Sequence, residues 1–335
     1  MTDEHSADNN GAASDDAVSR SPEAGRTFEP SAGAEATRSG FVAILGKPNT
    51  GKSTLLNTLL GVKVSPITPK PQTTRRGVRG IYTSGKTQVV FVDTPGWHRS
   101  SSAGTRLDEY MHREVRSALV DVEVVLWVVD LRRPPGDEDR EVARLLQGID
   151  PNVEVWLIGN KVDAAKYPEE AISLYEDLGT FSRVVQISAM SDPEAVYDLR
   201  EDLLERMPEG PLYYPENIRS DQTREAWASE LIRESAMIQL REELPYAVAV
   251  RVSEWREAET SDDPIYIAAE IWVERRNHRP MVIGKGGKMI REIGRNARRQ
   301  LEVFLDHKIF LDLEVVVQGN WREDREALRE LGYES

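Results

Sequence analysis

The 335-residue sequence contains no cysteine, which excludes disulfides, thiolate catalysis and cysteine-ligated zinc. It has no apolar run of about 18 residues and no apolar stretch near residue 1, so it predicts neither a membrane span nor a signal peptide. We therefore expect a cytoplasmic protein. Basic residues are outnumbered by acidic ones, 43 against 57, and a net charge of −14 argues against nucleic-acid binding by the whole surface. Any such binding must be local.

Large apolar residues are nearly missing from residues 1–39, which carry eight acids and three arginines. Such a segment cannot bury enough apolar surface to offset the cost of ordering, so we expect a disordered acidic tail. The remaining length suits two domains. Prolines at positions 208, 211 and 215 place their boundary near residue 212, which gives domains at 40–212 and 213–335.

From residue 40, Val- and Ile-rich runs alternate with helical stretches, a pattern typical of a doubly wound α/β domain whose sheet is covered on both faces. The runs are residues 41–45, 88–92, 122–129, 153–158 and 184–187. Ligands of such domains bind beyond the carboxyl ends of the strands. We therefore expect the ligand-binding residues to follow directly after each run.

The first run leads into a phosphate-loop pattern, G-x-x-x-x-G-K-[ST], followed by a helical stretch that Gly61 can cap. Unpaired amides at the start of that helix can wrap phosphates. Lys52 would then contact the β- and γ-phosphates, and the Ser53 hydroxyl would bind Mg²⁺. The alternative is a glycine-rich turn that binds nothing. The pattern consists of Gly46, Lys47, Pro48, Asn49, Thr50, Gly51, Lys52 and Ser53.

The second run ends in Asp93, Thr94, Pro95 and Gly96. Asp93 can hold the Mg²⁺ shell, and the Gly96 amide can meet the γ-phosphate. An aspartate after a strand is by itself more often a turn or helix cap. Its position downstream of the phosphate loop favours the functional interpretation.

The sequence also predicts which base is bound. Asp163 can accept hydrogen bonds from the ring N–H and exocyclic amine of guanine, which selects GTP over ATP. Asn160 would tie neighbouring loops together, and the Lys161 stem would lie on the base. After the last run, the amides of Ser188 and Ala189 would close the pocket near the guanine O6. Val162 completes the motif N-K-V-D.

Residues 65–77 are too rich in Pro and Thr for regular structure, and they lie where a nucleotide-sensing loop, switch I, belongs. A threonine hydroxyl there can bind Mg²⁺ only when a γ-phosphate is present. Thr74 is our first choice and Thr73 the alternative, unless both are ordinary loop hydroxyls. Lys52, Thr74 and Gly96 are thus the candidate catalytic residues. The core of switch I is Gln72, Thr73, Thr74, Arg75 and Arg76.

Beyond residue 212 the pattern changes to an α+β module, with helices predicted at 223–241 and up to about 305, and strands at 247–252, 265–273 and 309–317. A G-x-x-G turn precedes the second helix, and residues 282–299 hold six basic residues and one acid. Such a turn can approach a nucleic-acid backbone while its basic flank neutralises phosphates. The alternative is a solvated helix face. The candidate RNA contacts are Ile283, Gly284, Lys285, Gly286, Gly287, Lys288, Arg291, Arg295 and Arg298.

From residue 40 onward, G-K-P-N-T-G-K-S, Q-T-T-R, D-T-P-G, N-K-V-D, I-S-A and V-I-G-K-G-G resemble the Era family of bacterial GTPases, as do E-L-P-Y at 243–246 and the closing L-G-Y. The resemblance implies a P-loop GTPase domain followed by a type II KH domain. It implies slow, Mg²⁺-dependent hydrolysis of GTP, with GDP also bound. It further implies binding of the single-stranded 3′ region of 16S rRNA rather than DNA, help in 16S rRNA processing and 30S subunit biogenesis, and partial peripheral association with the cytoplasmic face of the cell membrane.

One position departs from Ras-like GTPases, because Trp97 stands where they carry the glutamine that orients water. The sequence resembles GTPases with a hydrophobic residue there, in which help comes from elsewhere. In relatives, the asparagine matching Asn49 helps to bind a K⁺ ion that supplies positive charge. His98 is a candidate base, or simply an exposed loop histidine. The competing function is an RNA-binding module whose GTPase domain is an inactive clamp.

Overall fold

The computed structural model describes residues 36–99 and 104–334. The predicted acidic tail lies outside these ranges up to residue 35. Its predicted end at residue 39 is too late, because Arg38 and Ser39 already belong to the first strand. Within the described ranges, no helix is both long and apolar enough to cross a bilayer.

Six strands form the first sheet, in the order β2-β3-β1-β4-β5-β6. All neighbours are parallel except β2 and β3, which form an antiparallel hairpin. Sequence reasoning missed β2, an edge strand whose run of strand-forming residues contains Gly80. The strands are β1 Arg38–Leu45, β2 Val78–Ser84, β3 Thr87–Asp93, β4 Val124–Asp130, β5 Glu154–Asn160 and β6 Arg183–Gln186.

Helices cover both faces of this sheet, so alternate residues of β1 enter two different cores. Val42 and Ile44 pack with residues of α1 and α5, whereas Ala43 and Leu45 pack with residues of α2, α3 and α4. The helices are α1 Lys52–Leu60, α2 Arg106–Ser117, α3 Asp137–Leu146, α4 Pro168–Glu176 and α5 Pro193–Arg206. The carboxyl ends of the parallel strands, and the loops that follow them, therefore lie together at one end of the sheet.

The second sheet has the order β7-β8-β9, antiparallel between β7 and β8 and parallel between β8 and β9. Residues of α6 and α9 share one apolar core with its strands. The elements are α6 Arg224–Gln239, α7 Leu244–Ala247, β7 Val248–Arg256, β8 Ile265–Val273, α8 His278–Ile283, α9 Lys288–Leu305, β9 Ile309–Val317 and α10 Arg325–Glu330. The glycine-rich loop thus lies on the crossover between two parallel strands.

The two sheets belong to one compact unit that begins at Ala36, so the predicted boundary near residue 212 stays a prediction. A shared apolar cluster joins α2 to the second sheet, with Tyr110 and Met111 packed against Trp272 and Trp321. The segment after α5 also stays with the first sheet. The backbone N–H of Ile81 donates to Arg219 O at 2.9 Å, and Gly80 forms a β-bridge with Ser220.

Candidate nucleotide site and nucleic-acid interface

The phosphate loop joins β1 to α1. Both of its glycines lie so close to neighbouring atoms that a side chain would not fit. A Cβ on Gly46, whose φ is 154°, would lie 2.3 Å from the carbonyl oxygen of Val128. A Cβ on Gly51, whose φ is 102°, would lie 2.2 Å from Asn160 Nδ2. Because Gly51 caps α1 without a side chain, the first amides of the helix are left for a ligand.

Lysine side chains in the loop have different surroundings. Lys47 Nζ pairs with Asp139 Oδ2 at 2.6 Å, which directs its charge toward α3. Lys52 Nζ and the Thr50 hydroxyl both donate to the Lys47 carbonyl oxygen, at 3.0 and 3.1 Å. Burial lowers the pKa of Lys52 to about 8, opposed by the nearby Asp93 carboxylate. An anion in the loop would stabilise the charged form of Lys52.

Three hydroxyls converge on the Asp93 carboxylate at the end of β3. Donors to Asp93 Oδ2 are Ser53 Oγ at 2.7 Å, Ser65 Oγ at 2.8 Å and Thr74 Oγ1 at 3.3 Å. The hydroxyls of Ser53 and Thr74 are 2.9 Å apart. Asp93 is fully buried, which raises its pKa, and its Oδ1 has no hydrogen-bond partner among the described residues. This set of oxygen donors suits Mg²⁺.

The same cluster distinguishes the two threonines proposed for switch I. Thr74 is buried within it, whereas the Thr73 hydroxyl contacts Thr68 Oγ1 at 2.6 Å and Lys70 O at 2.8 Å. The geometry therefore favours Thr74. Ser65 also belongs to the cluster, and sequence reasoning missed it because a lone serine carries no signal.

The D-T-P-G turn lies against the phosphate loop. A Cβ on Gly96 would be 2.7 Å from Pro48 Cα, so only glycine allows this approach. Thr94 Oγ1 donates to Ile44 O at 2.8 Å, and Pro95 is buried beside it. These contacts hold the Gly96 amide at the edge of the cavity that Lys52 and Thr74 also line.

Trp97 and His98, which follow the D-T-P-G turn, are both held by neighbouring side chains and backbone. The Trp97 indole is buried, stacks on His112 at 4.6 Å and donates to Glu141 Oε2 at 3.1 Å. His98 places Nδ1 3.1 Å from Gly96 O and Nε2 3.0 Å from Asp108 Oδ1. Both neighbours are acceptors, and the hydrogen bond to Asp108 raises the pKa of His98. Both ring nitrogens of His98 are thus engaged, which disfavours its proposed role as a base, although that role stays a prediction.

Asn160 ties three loops together at the end of β5. Its Nδ2 donates to Thr50 O at 2.7 Å, while its Oδ1 accepts from Ala189 N at 2.9 Å and Lys161 N at 2.8 Å. Lys161 has a φ of 65°, and its Nζ contacts Asp130 Oδ2 at 3.0 Å as well as the Asn49 carbonyl. The lysine stem is thereby held over the phosphate loop.

Asp163, the proposed base reader, projects into solvent beside the loop of Ser188 and Ala189. A hydrogen bond from Ser188 lowers the pKa of Asp163, and Ser191 Oγ donates to its Oδ2 at 3.3 Å. Val162 N donates to Ile187 O at 3.2 Å, which fixes the start of this turn. The carboxylate is therefore ionised and accessible to a nucleobase.

The glycine-rich loop of the second domain follows α8 with three residues in the positive-φ region, Gly284 at 72°, Gly286 at 60° and Gly287 at 72°. A Cβ on Gly284 would lie 2.6 Å from Met289 Cβ. The side chains of Lys285 and Lys288 are exposed, whereas Ile283 packs on the core. The loop thus presents backbone and two ammonium groups to solvent.

Three arginines of α9 line a groove of about 390 Å³ beside β9, together with apolar residues such as Phe310. Arg291 donates to Gly286 O at 2.7 Å, which braces the loop. Arg295 pairs with Glu292, and Arg298 with Glu302. The groove is therefore less positive than the count of basic residues predicted.

Comparison with known proteins gives the family. Residues 41–161 match the family described as 50S ribosome-binding GTPase, and residues 243–322 match the KH domain. The chain is 58% identical over 302 residues to GTPase Era of Deinococcus deserti, an alignment that covers 89% of this chain and 96% of that protein. The chain belongs to the Era family of GTPases. An Era protein of Deinococcus radiodurans is also 58% identical, over 304 residues, with the same coverage of both chains.

Two solved Era structures are similar to this chain over nearly all of its described length. One is in complex with MgGDPNP and nucleotides 1506–1542 of 16S ribosomal RNA, with a TM-score of 0.81. The other, a variant of Era from Aquifex aeolicus bound to GDP and AlF₄⁻, has a TM-score of 0.82. Each is 34% identical to this chain, covering 89% of it and 100% of its own length. The predicted family, the GTPase-plus-KH fold and GTP hydrolysis are confirmed, whereas the roles of individual residues stay predictions.

Proposed function

We propose that this Era-family GTPase binds GTP and GDP with Mg²⁺, binds 16S rRNA through its KH domain, and assists 16S rRNA processing and 30S subunit biogenesis. The proposed binding of nucleotide rests on the convergence of Ser53, Thr74 and Asp93. These residues come from the phosphate loop, switch I and the end of β3, and they meet at one buried carboxylate. A site that assembles from three separate segments is suited to sense whether a γ-phosphate is present.

The residues present fit a bound Mg²⁺. Ser53 and Thr74 would hold it directly, with Asp93 and its unpartnered oxygen around it. When bound, the ion neutralises charge on the phosphate oxygens. Lys52 adds a positive charge, and the Gly96 amide adds a donor toward the γ-phosphate.

Lys52→Ala is expected to weaken GTP binding by roughly 100-fold, the scale of a buried charge-assisted contact. Because the pKa of Lys52 is lowered to about 8, the free protein has lost this charge at pH 9, and a bound triphosphate restores it. GTP binding by the parent at pH 9 should therefore take up a proton. Calorimetry in two buffers of different ionisation enthalpy measures this uptake, and its persistence in Lys52→Ala would assign it to another group.

K⁺ is proposed as the source of positive charge, since no arginine lines the described cavity around Lys52. Asn49, at φ 63°, donates through Nδ2 to Pro69 O at 3.1 Å, so its amide oxygen is the atom left for a cation. Single-turnover GTP hydrolysis should be about tenfold faster or more in K⁺ than in Na⁺. Asn49→Ala should remove most of that difference with a smaller effect on affinity. Equal rates of the parent in both salts would contradict the K⁺ site.

The RNA half of the proposal rests on the exposed glycine-rich loop, its two lysines and the adjoining groove. A similar Era protein holds nucleotides 1506–1542 of 16S rRNA, so we propose the single-stranded 3′ region as the ligand here. We also propose that the protein acts in the cytoplasm, with peripheral association at the inner face of the cell membrane as the family implies.

A further inference from the structure

Thr74 is held among the hydroxyls around Asp93 by a residue of α6, the helix that packs on the second sheet. Arg233 lies on α6, is 1% exposed, and donates through Nη2 to the carbonyl oxygen of Thr73. That carbonyl belongs to the peptide bond joining Thr73 to Thr74. The same guanidinium pairs with Glu230, which leaves it one well-defined position.

The residue after Thr74 makes the reverse contact, because here the side chain of switch I donates to the second domain. Arg75, also 1% exposed, reaches from switch I into the KH domain and donates to Val248 O at 2.8 Å and Tyr246 O at 2.9 Å. Its guanidinium lies 5.5 Å from the centre of the Trp321 ring. Thr74 thus lies between two anchored residues. The carbonyl oxygen of Thr73 accepts from Arg233, and Arg75 donates to carbonyl oxygens of the second domain.

The rest of switch I follows the same helix. Lys70 Nζ donates to the carbonyl oxygens of Met237 and Leu240 at the end of α6. Glu234 accepts from Ile67 N at 3.2 Å and pairs with Lys63 at 2.7 Å. The segment that carries Thr74 is therefore fixed along the length of α6.

The two buried arginines restrict where the backbone of switch I can lie. Burial, and next the neighbouring charge of Arg233, lower the pKa of Arg75 to about 10. Two buried guanidinium groups near each other need fixed acceptors, and three carbonyl oxygens and Glu230 accept from their Nη atoms, while Arg75 Nε has no hydrogen-bond partner among the described residues. Moving the Thr73–Thr74 peptide would leave Arg233 with an unpaired donor, so the KH domain opposes displacement of the Thr74 hydroxyl.

We propose that Arg233 is a positioning residue for GTP hydrolysis, supplied by the RNA-binding domain and acting through the peptide between Thr73 and Thr74, with Arg75 as its counterpart. This inference rests on the proposed role of Thr74 as an Mg²⁺ ligand. That role exists only with a γ-phosphate present, so the arginine pair affects GTP-bound states and leaves GDP affinity alone.

The test compares Arg233→Met with Arg224→Met, a control on the same helix whose exposed side chain pairs with Glu257. Arg233→Met is expected to lower the single-turnover hydrolysis rate about tenfold and to weaken GDPNP binding, while its GDP affinity stays that of the parent. Amide hydrogen exchange of residues 65–77 should rise. Arg224→Met should match the parent in all four measurements.

A double variant decides whether Arg233 acts through Thr74. On a Thr74→Ala background, Arg233→Met should cause no further loss of rate. An equal loss on both backgrounds, or an equal loss of GDP and GDPNP affinity, would overturn the proposal and make Arg233 a general structural residue. A parent-like rate of Thr74→Ala alone would instead refute the proposed Mg²⁺ ligand.

A second substitution covers the case in which Arg233→Met does not fold. Arg75→Lys keeps the charge but cannot donate to both Val248 O and Tyr246 O in the same planar geometry. It should show the same pattern of lowered rate, weakened GDPNP binding and unchanged GDP affinity. A folded Arg75→Lys protein with parent-like hydrolysis would overturn the proposal.

Discussion

Asp163→Asn is expected to reduce GTP affinity by roughly 1,000-fold or more, because the variant amide presents a donor where guanine also presents donors. The carboxylate is exposed and ionised, and the Ser188 loop beside it is fixed through Asn160. The substitution therefore changes the chemistry of recognition and not the fold. Xanthine has a carbonyl where guanine has the exocyclic amine, so the variant should bind xanthosine triphosphate better than GTP.

The measurement is a titration of both nucleotides against the parent and the variant. Asp177→Asn, at an exposed aspartate that follows α4, is the matched control and should bind GTP like the parent. Parent-like GTP affinity of Asp163→Asn would show that another group reads the base. Loss of both nucleotides together would point to a damaged pocket.

Lys285→Asp combined with Gly286→Asp is expected to remove most affinity for the single-stranded 3′ end of 16S rRNA. Two carboxylates would stand where the RNA backbone must approach, which adds repulsion and prevents close contact. A Cβ at Gly286 meets no described atom within 4 Å, and aspartate tolerates its φ of 60° better than most residues. The variant should therefore fold. Any stimulation of hydrolysis by a 16S 3′-end oligonucleotide should disappear.

Binding is best measured over a range of salt concentrations, since loss of phosphate contacts makes the salt dependence shallower. Arg329→Asp, which reverses an exposed charge on α10 and lowers the net charge by two, controls for most of the three-unit change in the double variant. Hydrolysis without RNA reports whether the nucleotide site is intact. Parent-like RNA affinity at matched salt would reject the loop as the binding site and leave the basic residues as a solvated helix face.

Local patterns in the sequence named most of the residues that the structure brings together at the candidate nucleotide site, because each motif follows a strand and the fold brings strand ends together. The run at 41–45, the phosphate loop and α1 are contiguous, so periodicity and glycine spacing suffice to place them. β2 was missed because its burial is partial and Gly80 breaks the run of apolar residues in its sequence. The prediction for switch I named Thr74 and Arg75 but not what the arginine does.

The contacts between domains could not be predicted from such patterns. Arg75 and Arg233 are 158 positions apart, and each is an ordinary arginine in its own segment. Only the packing of α6 beside switch I shows that both are buried and that both donate to carbonyl oxygens of the other domain. The counted surplus of charge at 282–299 likewise left out Glu302, one turn beyond the window, which pairs with Arg298.

The backbone pairing of Ile81 and Gly80 with residues 219 and 220 has a consequence for aggregation. β2 is the edge strand of its sheet, and an uncovered edge is a template for pairing with another chain. The segment between α5 and α6 covers this edge, and Gln88 holds it through the backbone amides of Tyr213 and Tyr214. A GTPase domain cut at residue 212 would lose this cover. A fragment that keeps this protection is therefore expected to extend at least through Gln222, because Asp221 pairs with Arg79 of β2 and Gln222 donates to Val64 O.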